Sequence, residues 1–518
     1  MALTVRNPAT GETLAELPEA TREDVLAAVA RARAAQPAWA ARPVRDRLAA
    51  LDRFRALLLA DRRGMAEQVT RETGKPLTEA LGVDVLITLD AAAWVVRNAE
   101  KVLAPEVLRL GNPLFVGRVS RVEREPLGVV GVVSPWNYPL AIPASNALHA
   151  LAAGNAVVLK PASLAPLTAL RMARLFHEAG VPGDVLQVVV GSGRVAGEAL
   201  VDADLDHLVF TGSVPVGKAV EQRLRERGVS SCMELGGSDP ALVLHDAPCE
   251  DAVRGVVWGR FTNAGETCAA PKRAYVHRSL LDRFVADATR AAAALRLGDP
   301  MRPDTDVGPL TDPDGVREMA AFVEDAVKRG ARVLCGGKPR PDLGPQWFEP
   351  TVLVDVPPDA RVVTEEAFGP ILPIVPFDDE DEAVRLANGT PFGLSASIWT
   401  RDLERGQALA RRLHAGTVTL NDVAYTYAAN ETPWGGVKDS GHGRTHGRWG
   451  LLEMTRMRHV NVVPPSRPLG GTWWFPYTPA LRELFDQGAR FLYGGAGDKA
   501  RTGAGVAARL LKRRRPDR

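Results

Sequence analysis

GVVGVVSPWNYPLAIPASNALHALAAGNAVVLKP, residues 128–161, begins and ends with short apolar runs that stop at proline. Residues 128–159 contain no Asp, Glu, Lys or Arg, which invites a membrane reading. Pro135, Pro139 and Pro143, with Asn137, Asn146 and Asn155, argue against a spanning helix. The stretch reads instead as buried strand, helix and buried strand. DVLQVVVG (184–191) and HLVFTGS (207–213) repeat the pattern. This strand–helix alternation predicts a doubly wound, mostly parallel α/β sheet.

Outward from that core, a second alternating series runs from PALVLHD (240–246) to about Trp434. It includes ARVLCGG (331–337), ILPIVPF (371–377) and GTVTLND (416–422), and predicts a second α/β domain. Residues 21–63 and 65–103 carry Ala, Leu and Arg at helical spacing and read as amphipathic helices. VGRVSRVERE (116–125) alternates apolar and charged residues like an exposed strand pair, and MRHVNVVPP (457–465) reads as a returning strand.

The chain has 518 residues, enough for two or three domains. Its four cysteines, at 232, 249, 268 and 335, make neither a disulfide framework nor a zinc-ligand pattern. Reduced thiols point to the cytoplasm, and no metal is expected. The N-terminus has no secretory signal pattern. The net charge of +2 conceals a tail, 494–518, with eight Lys/Arg against two Asp, so the rest carries −4. A mildly acidic body with one basic end is not the footprint of a nucleic-acid enzyme.

One cysteine sits oddly. NAGETCAAPKR (263–273) places Cys268 on a polar, glycine-bearing turn, not in a core strand. A nucleophilic thiol needs a lowered pKa or a nearby base, and donors for a developing oxyanion. MELGG (233–237) offers Glu234 at a strand end as a general base, and PWNYP (135–139) offers the Asn137 amide between two prolines. Taken singly, each has a plain structural explanation: a structural thiol, a strand end and a turn residue.

Together with KPAS (160–163), FTGSVPVG (210–217), EEAFGP (365–370) and PWGGVKDSGHGR (433–444), these stretches make the chain resemble the aldehyde dehydrogenase superfamily from about residue 5 to 464. The 34-residue spacing of Glu234 and Cys268 matches the family pattern. The resemblance implies a Rossmann-like cofactor domain (1–112 and 126–235), a catalytic α/β domain (236–436), and a small β oligomerisation element (113–125 and 453–465). A C-terminal extension, 466–518, follows. It implies that Cys268 attacks the aldehyde, that Asn137 holds the oxyanion, and that Glu234 activates the water that hydrolyses a thioester.

For NAD, with NADP as a further cofactor, the resemblance implies Trp136, Lys160, Ser163, Gly193, Ser213, Leu235, Glu366 and Phe368. Ser163 stands where many NAD-preferring relatives have Glu, so repulsion of a 2′-phosphate is missing. GSGRVAG (191–197) is glycine-rich but is not the G-x-G-x-x-G fingerprint. Tyr138, Ile142, Ser145, Tyr427 and Trp434 would line the aldehyde tunnel. That lining favours an aliphatic or aromatic aldehyde; the alternatives are an acidic semialdehyde or a CoA-acylating reaction. CoA-acylating relatives commonly lack the glutamate present here at 234. A cysteine hydrolase would need a His base, and no motif marks one. A homodimer or homotetramer is expected.

The extension contains GTWWFPYTP (471–479), an amphipathic stretch (480–494) and LLKRRRPDR. An isolated helix of that length is marginal in water, so its Leu/Phe face must be covered. The expectation is packing on the protein, on a partner subunit or over the tunnel mouth, with 499–518 mobile and solvated. Weak contact of the basic tail with an anionic membrane surface is the competing reading.

Overall fold

The computed structural model describes residues 2–112, 115, 118–463 and 474–512, the last six as backbone only. Chain contacts divide it into Met1–Val102 with Pro126–Arg456, and Leu103–Glu125 with Met457–Arg518.

The first unit holds two twisted sheets. One has the strand order Gly441–His442, Ser230–Leu235, His207–Gly212, Val129–Val133, Ala156–Lys160 and Leu186–Val188. Its five longer-range crossover strands are parallel, and only Gly441–His442 runs antiparallel, against Glu234 and Met233. The chain winds outward from Val129–Val133 in one direction, then returns to its other side through His207–Gly212. The carboxyl ends of these two neighbours therefore form a topological switch point, where open α/β sheets bind ligands. The charge-free stretch is explained here. Its helix, Ala141–Ala153, is buried at every position, so a charge anywhere along it would be desolvated.

The second sheet has seven strands, from Arg332–Cys335 through Thr351–Val354, Ile371–Phe377, Pro271–His277, Asp239–Val243 and Ser395–Trp399 to Thr417–Leu420. All are parallel except Arg332–Cys335. Fully buried runs such as Ile371–Phe377 are read correctly as strands because both faces are covered.

The two long N-terminal helical segments are broken. They form Arg22–Ala40, Val44–Ala60, Arg62–Thr73 and Leu86–Leu103, with a short π-helical turn, Ala80–Val85, between the last two. Gly74, at φ +76, ends the third helix in the left-handed conformation.

In the second unit, residues 116–125 are not a strand pair. Val119–Pro126 is a single strand, flanked in its sheet by Glu106–Leu108 and Thr455–Val462. Residues 116 and 117 lie outside the described residues, as do 464–473 and 513–518, which hold part of the aromatic run and the basic tip. Pro479–Tyr493 is the expected helix. The expectation of a mobile 499–518 is corrected for its first part, because Ala496–Lys512 is a second helix. Val506 from that helix is buried with Leu481 and Leu484, so the chain covers much of its own apolar face.

Candidate active site

Cys268 follows a turn of unusual backbone. Asn263 and Ala264 have φ of 52° and Gly265 has 78°. A Cβ on Gly265 would lie 2.5 Å from Gly369, so close approach as well as φ demands glycine there. Arg260, fully buried, fixes this turn to the loop that carries Glu366. Its guanidinium donates to Gly265 O (3.2 Å), Ala367 O (2.8 Å), Ile371 O (2.5 Å) and Gly369 O.

Asn137 is held from both sides. Its Nδ2 donates to Glu266 O (2.9 Å), which leaves the second amide proton free, since a primary amide carries two. Its carbonyl accepts from Lys75 Nζ (2.8 Å) and Asn263 Nδ2 (3.2 Å). Lys75 forms a fully buried ion pair with Asp84 (2.5 Å). The other Asp84 oxygen accepts from the N–H groups of Leu140 and Ala141, at the start of the buried helix. Removing either partner would leave an unpaired buried charge beneath Asn137.

Glu234 ends the strand Ser230–Leu235, and its buried Oε1 has no hydrogen-bond partner. Burial holds its carboxyl well above the usual range, with Arg444 and a Trp434 side-chain hydrogen bond opposing. Such a group is poised to take a proton. A Cβ on Gly435 would approach that oxygen to 2.9 Å, so the glycine leaves room for it.

The polar, glycine-bearing turn does not leave Cys268 open to solvent. Cys268 is half-buried, and burial pushes its thiol up to about 12, with Lys272 opposing and Asp239, Glu366 and Glu234 adding to the rise.

Cys268, Glu234 and Asn137 meet in one cavity of about 340 Å³. Trp136, Ser213, Leu235, Glu366 and Phe368 also line it, as do Ile142, Ser145, Tyr427 and Trp434. Tyr138 does not. It lies behind the wall, with its hydroxyl 2.8 Å from Thr267 Oγ1 and Lys75 over its ring at 3.9 Å. Lys160, Ser163 and Gly193 lie outside this cavity. Lys160 is buried, forms no ion pair among the described residues, and is lowered to about 8 by burial, with Glu19 opposing. Gly193 opens a π-helical turn, Gly193–Gly197, capped by Ser192.

The sequence reading passed over Asn146, Glu318, Leu394, Thr445 and His446, all in the lining, and Lys272 beside the thiol. His446 could have been suspected, since it stands within the glycine-rich run after Trp434. It is held neutral, lowered to about 3 by burial and by His149. No Lys or Arg is among the lining residues. Among the described residues, no group of three or more His, Cys, Asp or Glu is arranged to hold a metal ion.

The model of the aldehyde dehydrogenase family matches residues 1–460. The chain belongs to the aldehyde dehydrogenase family. This aldehyde dehydrogenase is 39% identical over 482 residues to a Mycolicibacterium smegmatis protein named "Putative succinate-semialdehyde dehydrogenase", whose name adds NADP(+); 92% of each chain is covered. It is 38% identical over 458 residues to the 3-sulfolactaldehyde dehydrogenase of Pseudomonas putida, covering 88% of this chain and 92% of that one. An E. coli structure described as an NADP-dependent enzyme superposes with a TM-score of 0.86 at 34% identity, covering 89% of this chain and 95% of that one. The Bacillus cereus aldehyde dehydrogenase in complex with NAD+ also gives 0.86 at 34% identity, over 89% and 93%. The enzyme oxidises aldehydes with a nicotinamide dinucleotide cofactor.

Proposed function

We propose that this aldehyde dehydrogenase converts an uncharged aliphatic or aromatic aldehyde to its acid through a thioester on Cys268. The observation that carries the reading is the shared cavity of Cys268, Glu234 and Asn137. The Cys268 thiolate adds to the aldehyde carbon. The free Asn137 amide proton and the Cys268 N–H donate to the oxyanion. Oxidation of that adduct leaves a thioester on Cys268. Glu234 takes a proton from the water that hydrolyses it, and its unpartnered oxygen is available for that water.

The cavity fits a dinucleotide on several observations. Ser213 caps the helix Val214–Glu226 without a side-chain hydrogen bond, so the N–H groups of Val214 and Val216 remain for an anion, Pro215 having none. Gly236 leaves space that a Cβ could not share with the Glu366 carboxylate, 2.0 Å away. Lys160 is a buried ammonium that forms no ion pair among the described residues, with Glu19 the charge that opposes its burial. Trp136, Ser213, Leu235, Glu366 and Phe368 would hold the cofactor with Lys160, Ser163 and Gly193. Bound, NAD or NADP supplies the electron acceptor. Acceptance of both is supported by Ser163, and by relatives whose names or titles print NADP in one case and NAD in another.

The absence of a lining cation supports an uncharged substrate, because a carboxylate in this lining would meet only Glu234, Glu318 and Glu366 as charged groups. The relatives' names favour a second reading, an acidic semialdehyde. Reduced-cofactor absorbance with hexanal, benzaldehyde and succinate semialdehyde separates the two. A higher kcat/KM for the semialdehyde than for both others would reverse the assignment.

We place assembly, as a homodimer or homotetramer, on the three-stranded sheet, where Val107, Val119, Met457 and Val462 are exposed. A cytoplasmic location rests on the four free cysteines. Among the described residues, no helix is long and apolar enough to cross a membrane.

A further inference from the structure

Lys272 is the second residue of the strand Pro271–His277, directly after the Cys268 turn, and its side chain has no solvent exposure. Its ammonium donates two hydrogen bonds, to Thr267 O at 2.8 Å and Cys268 O at 2.7 Å, and forms one ion pair, with Glu366 Oε1 at 3.2 Å. Glu366 is held in turn by Gly237 N at 3.0 Å. Asp239 stands on the adjacent strand, paired in register with Pro271, and is engaged by Ser395.

The charged groups that act on the thiol are the Lys272 cation and the carboxyls of Asp239, Glu366 and Glu234, and the thiol acts in turn on the buried Tyr138 and Tyr427 hydroxyls. Lys272 is the cation among them. A thiolate there would otherwise form in a buried site facing carboxylates, which oppose it.

We propose that Lys272 is a positioning residue for the Cys268 nucleophile: it fixes the turn through the Thr267 and Cys268 carbonyls and supplies the counter-charge of the thiolate, while Glu366 competes for that charge. This inference rests on Cys268 being the nucleophile. Only the S–H bond breaks in the step it assists, and the proton leaves to cavity water.

The test is alkylation of Cys268 by iodoacetamide, in which the S–C bond forms and the C–I bond breaks. Cys335 is half-buried and would react in the background, so Cys335→Ser is the parent protein; Cys232 and Cys249 are buried. Rates are read from the Cys268 peptide mass between pH 6 and 10. Lys272→Met is expected to slow alkylation at pH 8 by at least about tenfold, equivalent to one pKa unit. It should also move the acidic limb of the kcat/KM profile, which reports thiolate formation, to higher pH. Glu366→Gln is expected to speed alkylation and move its profile to lower pH. A Lys272→Met profile that overlays the parent overturns the proposal. If Lys272→Met does not unfold cooperatively, Glu366→Gln decides, and an unchanged or slower profile overturns it. Cys268→Ala separates the two readings: aldehyde oxidation surviving in that variant would refute the proposed function whatever the Lys272 profiles show.

Discussion

Replacing Cys268 by Ala removes the attacking atom and leaves the cavity walls in place. Turnover is expected to vanish while cofactor still quenches tryptophan fluorescence with a similar Kd. More than a few per cent of residual turnover would contradict the assignment. Glu234→Gln keeps the shape but loses the base. A first-turnover burst is expected to persist while the steady rate falls by about 10²–10⁴. Equal losses in both phases would mean Glu234 acts in thiolate formation instead. Ser163→Glu is expected to shift the ratio of kcat/KM toward NAD over NADP, and an unchanged ratio would mean that residue 163 does not meet the ribose. The residues in these experiments were legible because each sits in a short local motif. Lys75, Asp84 and Arg260 were not, because their roles arise from neighbours far along the chain, such as Ile371 O beside Arg260. Lys272 lay in view four residues after Cys268, yet nothing local marked the buried ammonium it becomes.

At the scale of elements, Glu79 ties the short helix Leu77–Glu79 to the nucleophile turn. It accepts from Asn263 N at 2.8 Å and from Thr262 Oγ1 at 3.0 Å. Burial raises its carboxyl to about 7, against hydrogen bonds and Lys75 that lower it. The folded pKa thus lies above the unfolded value of about 4.3. Its stabilising contribution is complete below the unfolded pKa and is lost as pH rises through 7. The unfolding midpoint is expected to fall between about pH 4 and 7 and to level off above, and Glu79→Gln is expected to flatten that fall; an equally steep fall in the variant would refute the linkage. Parallel strands were read well because proline and glycine punctuate them. The N-terminal helices were merged because Ala, Leu and Arg spacing continues across their breaks. The turn at 80–85 carries no residue that signals a π-helix.

Over the whole molecule, the C-terminal pair of helices changes what truncation means. Leu481 and Leu484 are covered by Val506, while Trp474, Phe475, Tyr477 and Tyr493 stay exposed. An exposed aromatic group of this kind needs a partner, and a neighbouring subunit is the proposed one. A chain cut after Pro465 is expected to keep its burst but to dissociate at higher protein concentration in light scattering, or to show a changed KM for bulky aldehydes. Unaltered assembly and kinetics, with sedimentation of the full chain on anionic vesicles, would favour the membrane surface instead. Residues 499–518 were read as solvated because glycines and basic residues dilute their apolar positions; Val506 matters only once Leu481 and Leu484 are opposite it.

The antiparallel strand Gly441–His442 has a bearing on synthesis. Glu234 gains that strand against its own, and the Gly435 contact beside its carboxylate, only when residues more than 200 positions later have been made. Arg260 likewise waits for Ile371 before it can clamp the nucleophile turn. A ribosome therefore makes residues beyond 430 before Glu234 and Cys268 share one enclosure. A nascent chain stalled before residue 430 is expected to carry a Cys268 that reacts with iodoacetamide like an ordinary unfolded thiol. The finished protein keeps its chemistry for last.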